Sequence, residues 1–179
     1  MKTNTFRNQL FIPGLFIFCF FSCQTTKVIP TSSPRSASSV ASSSSISSVN
    51  KILLTQSIND VRRTGCKCGT TYMPPVPNIT WNSQLEIASQ NHANDMNKKK
   101  YFSHTGSDGS NPGDRIKRLG YSWSSFSENI ANRYAGEQAV VKGWLQSEGH
   151  CKNIMKAASK EMGIAKSGDY WVQVFATKR

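Results

Sequence analysis

The first 49 residues of this chain have the composition of an export signal followed by a tether, which leaves residues 50–179 to build a hydrophobic core. Ser dominates residues 31–49, with Pro and Ala among the rest. Such a segment has too few apolar side chains to offset the entropy that a chain loses on folding. We therefore predict a flexible linker before a single folded domain, for which about 130 residues are sufficient.

The apolar run LFIPGLFIFCFF follows the basic residues Lys2 and Arg7, and Ser22 comes directly after it. This order of basic, apolar and small residues is typical of a secretory signal peptide. A membrane-spanning helix needs about 20 apolar residues, so this run is too short for one. We therefore predict a signal peptide at residues 1–22.

The stretch FFSCQ at the end of this signal resembles a bacterial lipobox, in which cleavage precedes a cysteine that becomes lipidated. That cysteine would be Cys23, which makes residues 23–49 a lipidation site and a linker. We therefore expect a lipoprotein of a bacterial cell envelope, anchored at the outer membrane or on the periplasmic side. Phe20 and Phe21 depart from the usual lipobox residues, so a secreted form is the alternative.

Basic residues outnumber acidic residues by 22 to 10, which gives a formal net charge of +12. They are scattered, their densest run being KKK at residues 98–100, and no nucleic-acid-binding motif accompanies them. We therefore expect no nucleic acid partner. An exported basic protein instead meets acidic lipid headgroups and wall polymers. We expect a monomer whose partners are the membrane and a lipid or envelope polymer.

Apolar spacing from residue 50 onward predicts helices and strands in the pattern of an α+β domain. Helices are predicted from about residue 50 to Gly65, after Asn82, across SNPGDRIKRLG, and over residues 136–147. Strands are predicted at residues 127–132, 161–166 and 170–177, the last two joined by a hairpin turn at Ser167, Gly168 and Asp169. We expect the helices to pack on an antiparallel sheet.

Cys66, Cys68 and Cys151 are the cysteines of the predicted domain. Export to oxidising conditions favours a disulfide, but three cysteines cannot all pair. Cys151 directly follows His150 in SEGHCKNIM, so a catalytic Cys–His pair, a metal site and a turn held by a disulfide all come into question. The tips of adjacent side chains seldom meet, which argues against the catalytic pair. C-x-C is a poor match to zinc-site spacing, which argues against a site of the three sulfurs with His150.

His104, Glu128 and His150 are polar residues set among small or apolar neighbours. Glu128 lies inside a predicted strand, where an unpaired carboxylate is costly to bury, so it should find a cationic, metallic or hydrogen-bonding partner. Two imidazoles and a carboxylate from separate segments form the ligand set of a catalytic-type divalent metal site, most simply for Zn²⁺. The competing interpretation is a hydrogen-bonded cluster that positions loops without metal or reaction.

Five stretches, in this order, resemble the motifs of the bacterial branch of the CAP (SCP) superfamily: FSHTGSDGSNPGDRIKRLGY, SENIA, VVKGWLQSEGHCKNIM, EMGIA and YWVQVFA. The resemblance covers residues 50–179. It implies an α-β-α sandwich with an antiparallel sheet of three to four strands and a surface cleft that carries two His and two Glu in many relatives. By motif, three of these four residues are His104, Glu128 and His150.

The fourth cleft residue and the cysteine pairing also follow from the resemblance. Glu148 is the candidate for the second glutamate, but bacterial relatives usually carry proline at this position and Glu148 lies one residue off the eukaryotic spacing, so its membership stays open. Related bacterial sequences have a cysteine just before glycine in the first loop, which implies a disulfide between Cys68 and Cys151. Cys66 is the alternative partner of Cys151.

The superfamily lacks an agreed catalytic activity, so the resemblance favours a non-catalytic binding module of the cell envelope over an enzyme. Zinc or another divalent cation is the cofactor that its cleft would hold. The alternative is a metal-assisted hydrolase of peptide, ester or cell-wall substrates that uses the same cleft, with Glu128 as ligand or base.

Overall fold

The structure, a computed structural model, describes residues 49–179. The predicted signal peptide, Cys23 and the linker as far as residue 48 lie outside the described residues. The helices are α1 (Lys51–Thr64), α2 (Ser83–Lys99), α3 (Pro112–Arg118), α4 (Glu137–Gln146) and α5 (Glu148–Ile154). The strands are β1 (Cys66–Cys68), β2 (Thr71–Met73), β3 (Thr80–Trp81), β4 (Trp123–Asn132), β5 (Glu161–Ser167) and β6 (Tyr170–Lys178).

Four strands form the main sheet, in the order β3-β5-β6-β4. β4 and β5 both pair antiparallel with β6, whereas the two-residue β3 runs parallel to β5. β1 and β2 form a separate antiparallel hairpin. β4 therefore lies at an edge of the main sheet, where side chains from the helices on both faces of the sheet can contact it.

Hydrophobic cores on both faces of the sheet make the domain an α-β-α sandwich. Alternate residues of β6 point to opposite faces. Trp171 and Phe175 pack with residues of α1, α4 and α5, including Leu54, Val140, Trp144 and Ile154. Val172, Val174 and Ala176 pack with residues of α2 and α3, including Leu85, Met96 and Ile116. The predicted α+β class and sandwich are confirmed, and the sheet is antiparallel apart from β3.

Three helices begin with side-chain capping hydrogen bonds, at the positions where the sequence predicts that helices start. The Asn50 side chain accepts a hydrogen bond from the backbone N–H of Leu53 at the start of α1, and Asn82 does the same for α2. α3 begins with a reciprocal capping box between Asn111 and Asp114. These bonds satisfy backbone donors that the first turn leaves without partners.

Two elements differ from the sequence prediction. SEGHCKNIM forms the short helix α5 and not a turn, and the cysteine-rich loop contains the β1–β2 hairpin. α5 buries only Cys151 and Ile154, so its apolar pattern is too brief to reveal a helical period. In the hairpin, Gly69 follows Cys68 with a φ of 60°, a backbone conformation that glycine adopts without strain.

Arg62 holds three segments together from inside the domain. Its side chain is fully buried, and its guanidinium donates to the carbonyl oxygens of Pro77 (2.8 Å), Ile154 (2.6 Å), Lys156 (3.2 Å) and Ser159 (3.2 Å). These bonds join α1 to the segment before β3 and to the chain between α5 and β5. No helix of residues 49–179 has both the length and the apolar composition that a bilayer crossing requires.

Candidate functional site

Glu128 of β4 is a buried carboxylate held by two side chains. Its Oε2 atom lies 2.6 Å from Nη2 of Arg115, and its Oε1 atom lies 2.8 Å from Nδ1 of His104. The side chains of Glu128 and Arg115 are only 1% and 8% exposed. The carboxylate thus has the cationic and hydrogen-bonding partners that a buried charge requires.

Arg115 also connects α3 to the loop that carries His104. Its Nη1 atom donates to the carbonyl oxygens of Ser110 at 2.9 Å and of His104 at 3.1 Å. One guanidinium therefore holds Glu128 and the backbone of His104 in the same place. Nothing in the local sequence indicates this pairing, since 13 residues separate Arg115 from Glu128.

The His104 ring has a defined orientation. An ionised carboxylate only accepts hydrogen bonds, so Nδ1 of His104 carries the proton that it shares with Glu128. The other ring nitrogen, Nε2, is then free to accept a proton or a metal ion when the ring is neutral. The His104 side chain is 53% exposed, which leaves the ring within reach of a ligand.

His92 positions the loop that carries His104. It is buried on α2, and its Nε2 atom lies 2.9 Å from the carbonyl oxygen of Ser103, the residue before His104. Burial lowers the pKa of His92, so the neutral ring is favoured and donates to this carbonyl. His92 is thus a structural histidine that positions the His104 loop.

His150 lies on α5, and a network of buried amides fixes that helix against β4. Asn129 donates to the carbonyl oxygen of His150 at 3.2 Å and to the side chain of Gln173 at 3.0 Å. Asn153 donates to the Asn129 side chain at 2.9 Å and to the carbonyl oxygen of Glu128 at 3.2 Å. Neighbouring residues of β4 therefore contact different helices: the side chain of Glu128 pairs with Arg115 of α3, and the side chain of Asn129 bonds to the backbone of α5.

The electrostatic environment of His150 keeps its ring neutral. Burial lowers the pKa of His150, and the nearby His104 ring lowers it further. A neutral imidazole is the form that binds metal ions or accepts a proton.

A cavity of about 300 Å³ lies beside His150, along the free edge of β4. Its lining combines aromatic, aliphatic and polar side chains, including Phe102, Ile130, Tyr134, Trp144, Ser147 and His150. The buried indole N–H of Trp144 has no hydrogen-bond partner within residues 49–179. The cavity can therefore take a partly apolar ligand next to the His150 ring.

Glu148 lies away from these groups, at the turn of the β1–β2 hairpin. Its carboxylate forms an ion pair with Lys152 at 2.5 Å, one turn along α5, and is half-exposed. A Cβ atom at Gly69 would come within 2.6 Å of a Glu148 carboxylate oxygen. No hydrogen bond or ion pair of the described chain joins Glu148 to His104, Glu128 or His150.

A disulfide joins Cys68 of β1 to Cys151 of α5. Cys151 therefore has no thiol, so the interpretation of His150 and Cys151 as a catalytic pair is wrong for this state. Cys66 is free, and its Sγ atom lies 3.5 Å from that of Cys151 and 3.8 Å from that of Cys68. The bridge ties α5 to the hairpin.

The three sulfurs form the one group of three or more His, Cys, Asp or Glu side chains in residues 49–179 whose ligand-type atoms all lie within 4.8 Å of one another. Two of these sulfurs are bonded to each other, and zinc binds cysteine as the thiolate, so the cluster offers a single free sulfur ligand. His104, Glu128 and His150 are not packed to this closeness.

Comparison with known proteins agrees with this architecture. Residues 55–175 match the family model described as "CAP: Cysteine-rich secretory protein family". The chain is 35% identical over 96 residues to the uncharacterized protein YkwD of Bacillus subtilis (strain 168), a match that covers 52% of this chain and 37% of the relative. It is 30% identical over 97 residues to the uncharacterized membrane protein YlbC of the same strain, covering 54% of this chain and 28% of the relative. The chain thus spans about a third of the length of these curated relatives.

Two solved structures share the fold. An extracellular protein containing a SCP domain from Bacillus anthracis str. Ames superposes with a TM-score of 0.59 at 26% identity, covering 71% of this chain and 41% of that one. An outer surface protein from Borrelia burgdorferi superposes with a TM-score of 0.60 at 21% identity, covering 72% of this chain and 92% of that one. Since the family match covers more than half of the chain, the protein belongs to the cysteine-rich secretory protein (CAP) family.

Proposed function

We propose that this protein is an exported binding module of a bacterial cell envelope, which takes a ligand in the cleft beside His104 and His150. The observation that carries the proposal is the chain of contacts from Arg115 through Glu128 to His104, which fixes one half-exposed imidazole in a defined orientation. An orientation set by a buried ion pair is a feature of binding sites that need a preformed geometry. The extracellular and outer-surface location of the two structural relatives supports export.

A divalent cation, most simply Zn²⁺, is the inorganic ligand that fits this cleft. Nε2 of His104 and the neutral ring of His150 are suitable nitrogen ligands. Glu128 does not fit as a third ligand, because His104 and Arg115 occupy its two oxygens. It fits instead as the carboxylate that orients a metal-binding histidine, a common arrangement around protein-bound metals. When bound, the cation would supply a Lewis acid beside the imidazoles that hold it.

The same contacts favour binding over hydrolysis. A metal-assisted hydrolase needs a base that accepts a proton from water. Both oxygens of the Glu128 carboxylate already accept hydrogen bonds, from His104 and from Arg115, so neither is free to bind a water molecule as that base. The partly apolar cavity suits a lipid or the apolar part of an envelope polymer, which is the organic ligand that we propose.

Zinc titration tests this function directly. We expect the purified protein to bind Zn²⁺ in calorimetry, and we expect His104→Ala and His150→Ala each to weaken binding by at least about tenfold, because each removes one of two protein ligands. Glu148→Gln is the matched control, since Glu148 pairs with Lys152 outside the cleft and its replacement should leave the affinity unchanged. Equal affinities in all four proteins would refute the cleft as the metal site. Chelator-sensitive turnover of peptide, ester or wall-fragment substrates, lost in His104→Ala, would establish the hydrolase in place of the binding module.

We also propose that a lipid on Cys23 holds the domain at the membrane, with the Ser-rich segment as its tether. The expected result for Cys23→Ala is loss of fatty-acid labelling and transfer of the protein from the membrane fraction to the soluble fraction. Cys19→Ala is the matched control, because this cysteine lies inside the predicted signal and should not affect labelling of the mature protein. Retention of the Cys23→Ala protein in membranes would contradict the anchor.

A further inference from the structure

The proposed cleft makes no use of the three cysteines of the domain, although their sulfurs lie close together. Cys66 and Cys68 are two residues apart on β1, so their side chains point to the same face of that strand. That face is turned toward Cys151 of α5. Either cysteine of the hairpin can therefore approach the same sulfur.

The distances between the sulfurs permit exchange. The Sγ atom of Cys66 lies 3.5 Å from that of Cys151, and an S–S bond is about 2.05 Å long, so these two sulfurs need to approach by about 1.5 Å. β1 and β2 contain three residues each, so the backbone hydrogen bonds of only three residue pairs hold the hairpin together. The short distance between the sulfurs therefore leaves Cys66 only a small shift away from Cys151.

We propose that Cys66, Cys68 and Cys151 form a thiol–disulfide exchange site, in which Cys151 changes its bridge partner between Cys68 and Cys66. The thiolate of Cys66 attacks the Sγ atom of Cys151, a Cys66–Cys151 bond forms, and the Cys68–Cys151 bond breaks. Cys68 leaves as a thiolate and takes up the proton that Cys66 released. The step is neutral in electrons and needs no external oxidant or reductant.

The exchange changes which thiol the surroundings can reach. Cys66 is partly exposed, whereas Cys68 is fully buried. With the bridge at Cys68, the free thiol is open to external disulfides and electrophiles; with the bridge at Cys66, the free thiol is shielded. Both pairings keep α5 covalently attached to β1, so a disulfide joins these two elements in either state. Burial raises the pKa of the Cys66 thiol, which keeps the attacking thiolate a minority species.

Tryptic mapping of the full-length protein distinguishes the two pairings, because Lys67 lies between the two cysteines of the hairpin. Cleavage after Arg63 and Lys67 places Cys66 in the peptide TGCK and Cys68 in the next peptide. The folded protein is incubated in buffer, its free thiol is alkylated, and the unreduced digest is analysed by mass spectrometry. We expect alkylated Cys68 together with a disulfide-linked pair of TGCK and the Cys151 peptide, both increasing with time of incubation before alkylation.

Two variants accompany the wild type. Cys66→Ser should show no alkylation at Cys68 or Cys151, because these two cysteines are bridged. Cys68→Ser should form the Cys66–Cys151 bridge and show no alkylation at either of these two cysteines, which would show that the second pairing fits the fold. Alkylation of Cys66 alone in the wild type at every time, without the TGCK-linked pair, would overturn the proposal.

Discussion

Replacing Glu128 by Gln is expected to lower the free energy of unfolding by about 3–5 kcal/mol, because Arg115 then keeps its positive charge in a nearly buried position without a carboxylate partner. The amide also cannot accept hydrogen bonds at both of its terminal atoms, so either His104 or Arg115 faces an unsuitable donor. Urea denaturation measures the effect as a lower midpoint with an unchanged slope.

A double variant tests whether the unpaired charge of Arg115 causes the loss of stability in Glu128→Gln. In the double variant Glu128→Gln with Arg115→Met, both charges are gone, and we expect it to recover more than half of the lost stability. A Glu128→Gln protein within about 0.5 kcal/mol of the wild type, the range of ordinary surface substitutions, would show that the ion pair does not hold the site together.

Arg62→Met is expected to cost at least about 3 kcal/mol of unfolding free energy. Methionine keeps much of the apolar stem but removes every donor, so the carbonyl oxygens of Pro77, Ile154, Lys156 and Ser159 lose the hydrogen bonds from Arg62. Each buried acceptor left without a partner costs about 1–3 kcal/mol. Chemical denaturation of the purified variant measures the sum.

The neighbouring arginine provides a matched control for this change. Arg63 is exposed and forms an ion pair with Asp60 at 2.5 Å, an arrangement worth at most about 1 kcal/mol at a protein surface. Arg63→Met should therefore stay within about 0.5–1 kcal/mol of the wild type. Equal losses in the two variants would contradict the structural role of Arg62.

The sequence could predict elements whose signals are local. The hairpin of β5 and β6 follows from two β-rich runs around Gly168, and α3 follows from Asn111, Pro112 and the basic last turn. Glycine tolerates the φ of 55° at residue 168, and proline suits the first turn of a helix. These features depend on neighbouring residues alone, so they can be recognised before the fold is known.

The candidate site could be predicted only in part, because its decisive contacts join distant segments. A buried glutamate in a strand requires a partner, but nothing local to Glu128 indicates that Arg115 is that partner. The amides of Asn129 and Asn153 are likewise ordinary polar residues in the sequence, yet they attach α5 to β4. Arg62 resembles its exposed neighbour Arg63, and only the packing of α1 distinguishes them.

The orientation of the His104 ring is the central feature of the proposed site. NMR correlation of the ring nitrogens with their carbon-bound protons reports which nitrogen of a neutral histidine carries the proton. We predict the Nδ1–H tautomer for neutral His104, with the Nε2 signal shifting when Zn²⁺ is added, because Glu128 accepts from Nδ1 and leaves Nε2 toward the ligand. A neutral ring protonated at Nε2, with no response of either nitrogen to Zn²⁺, would contradict the account.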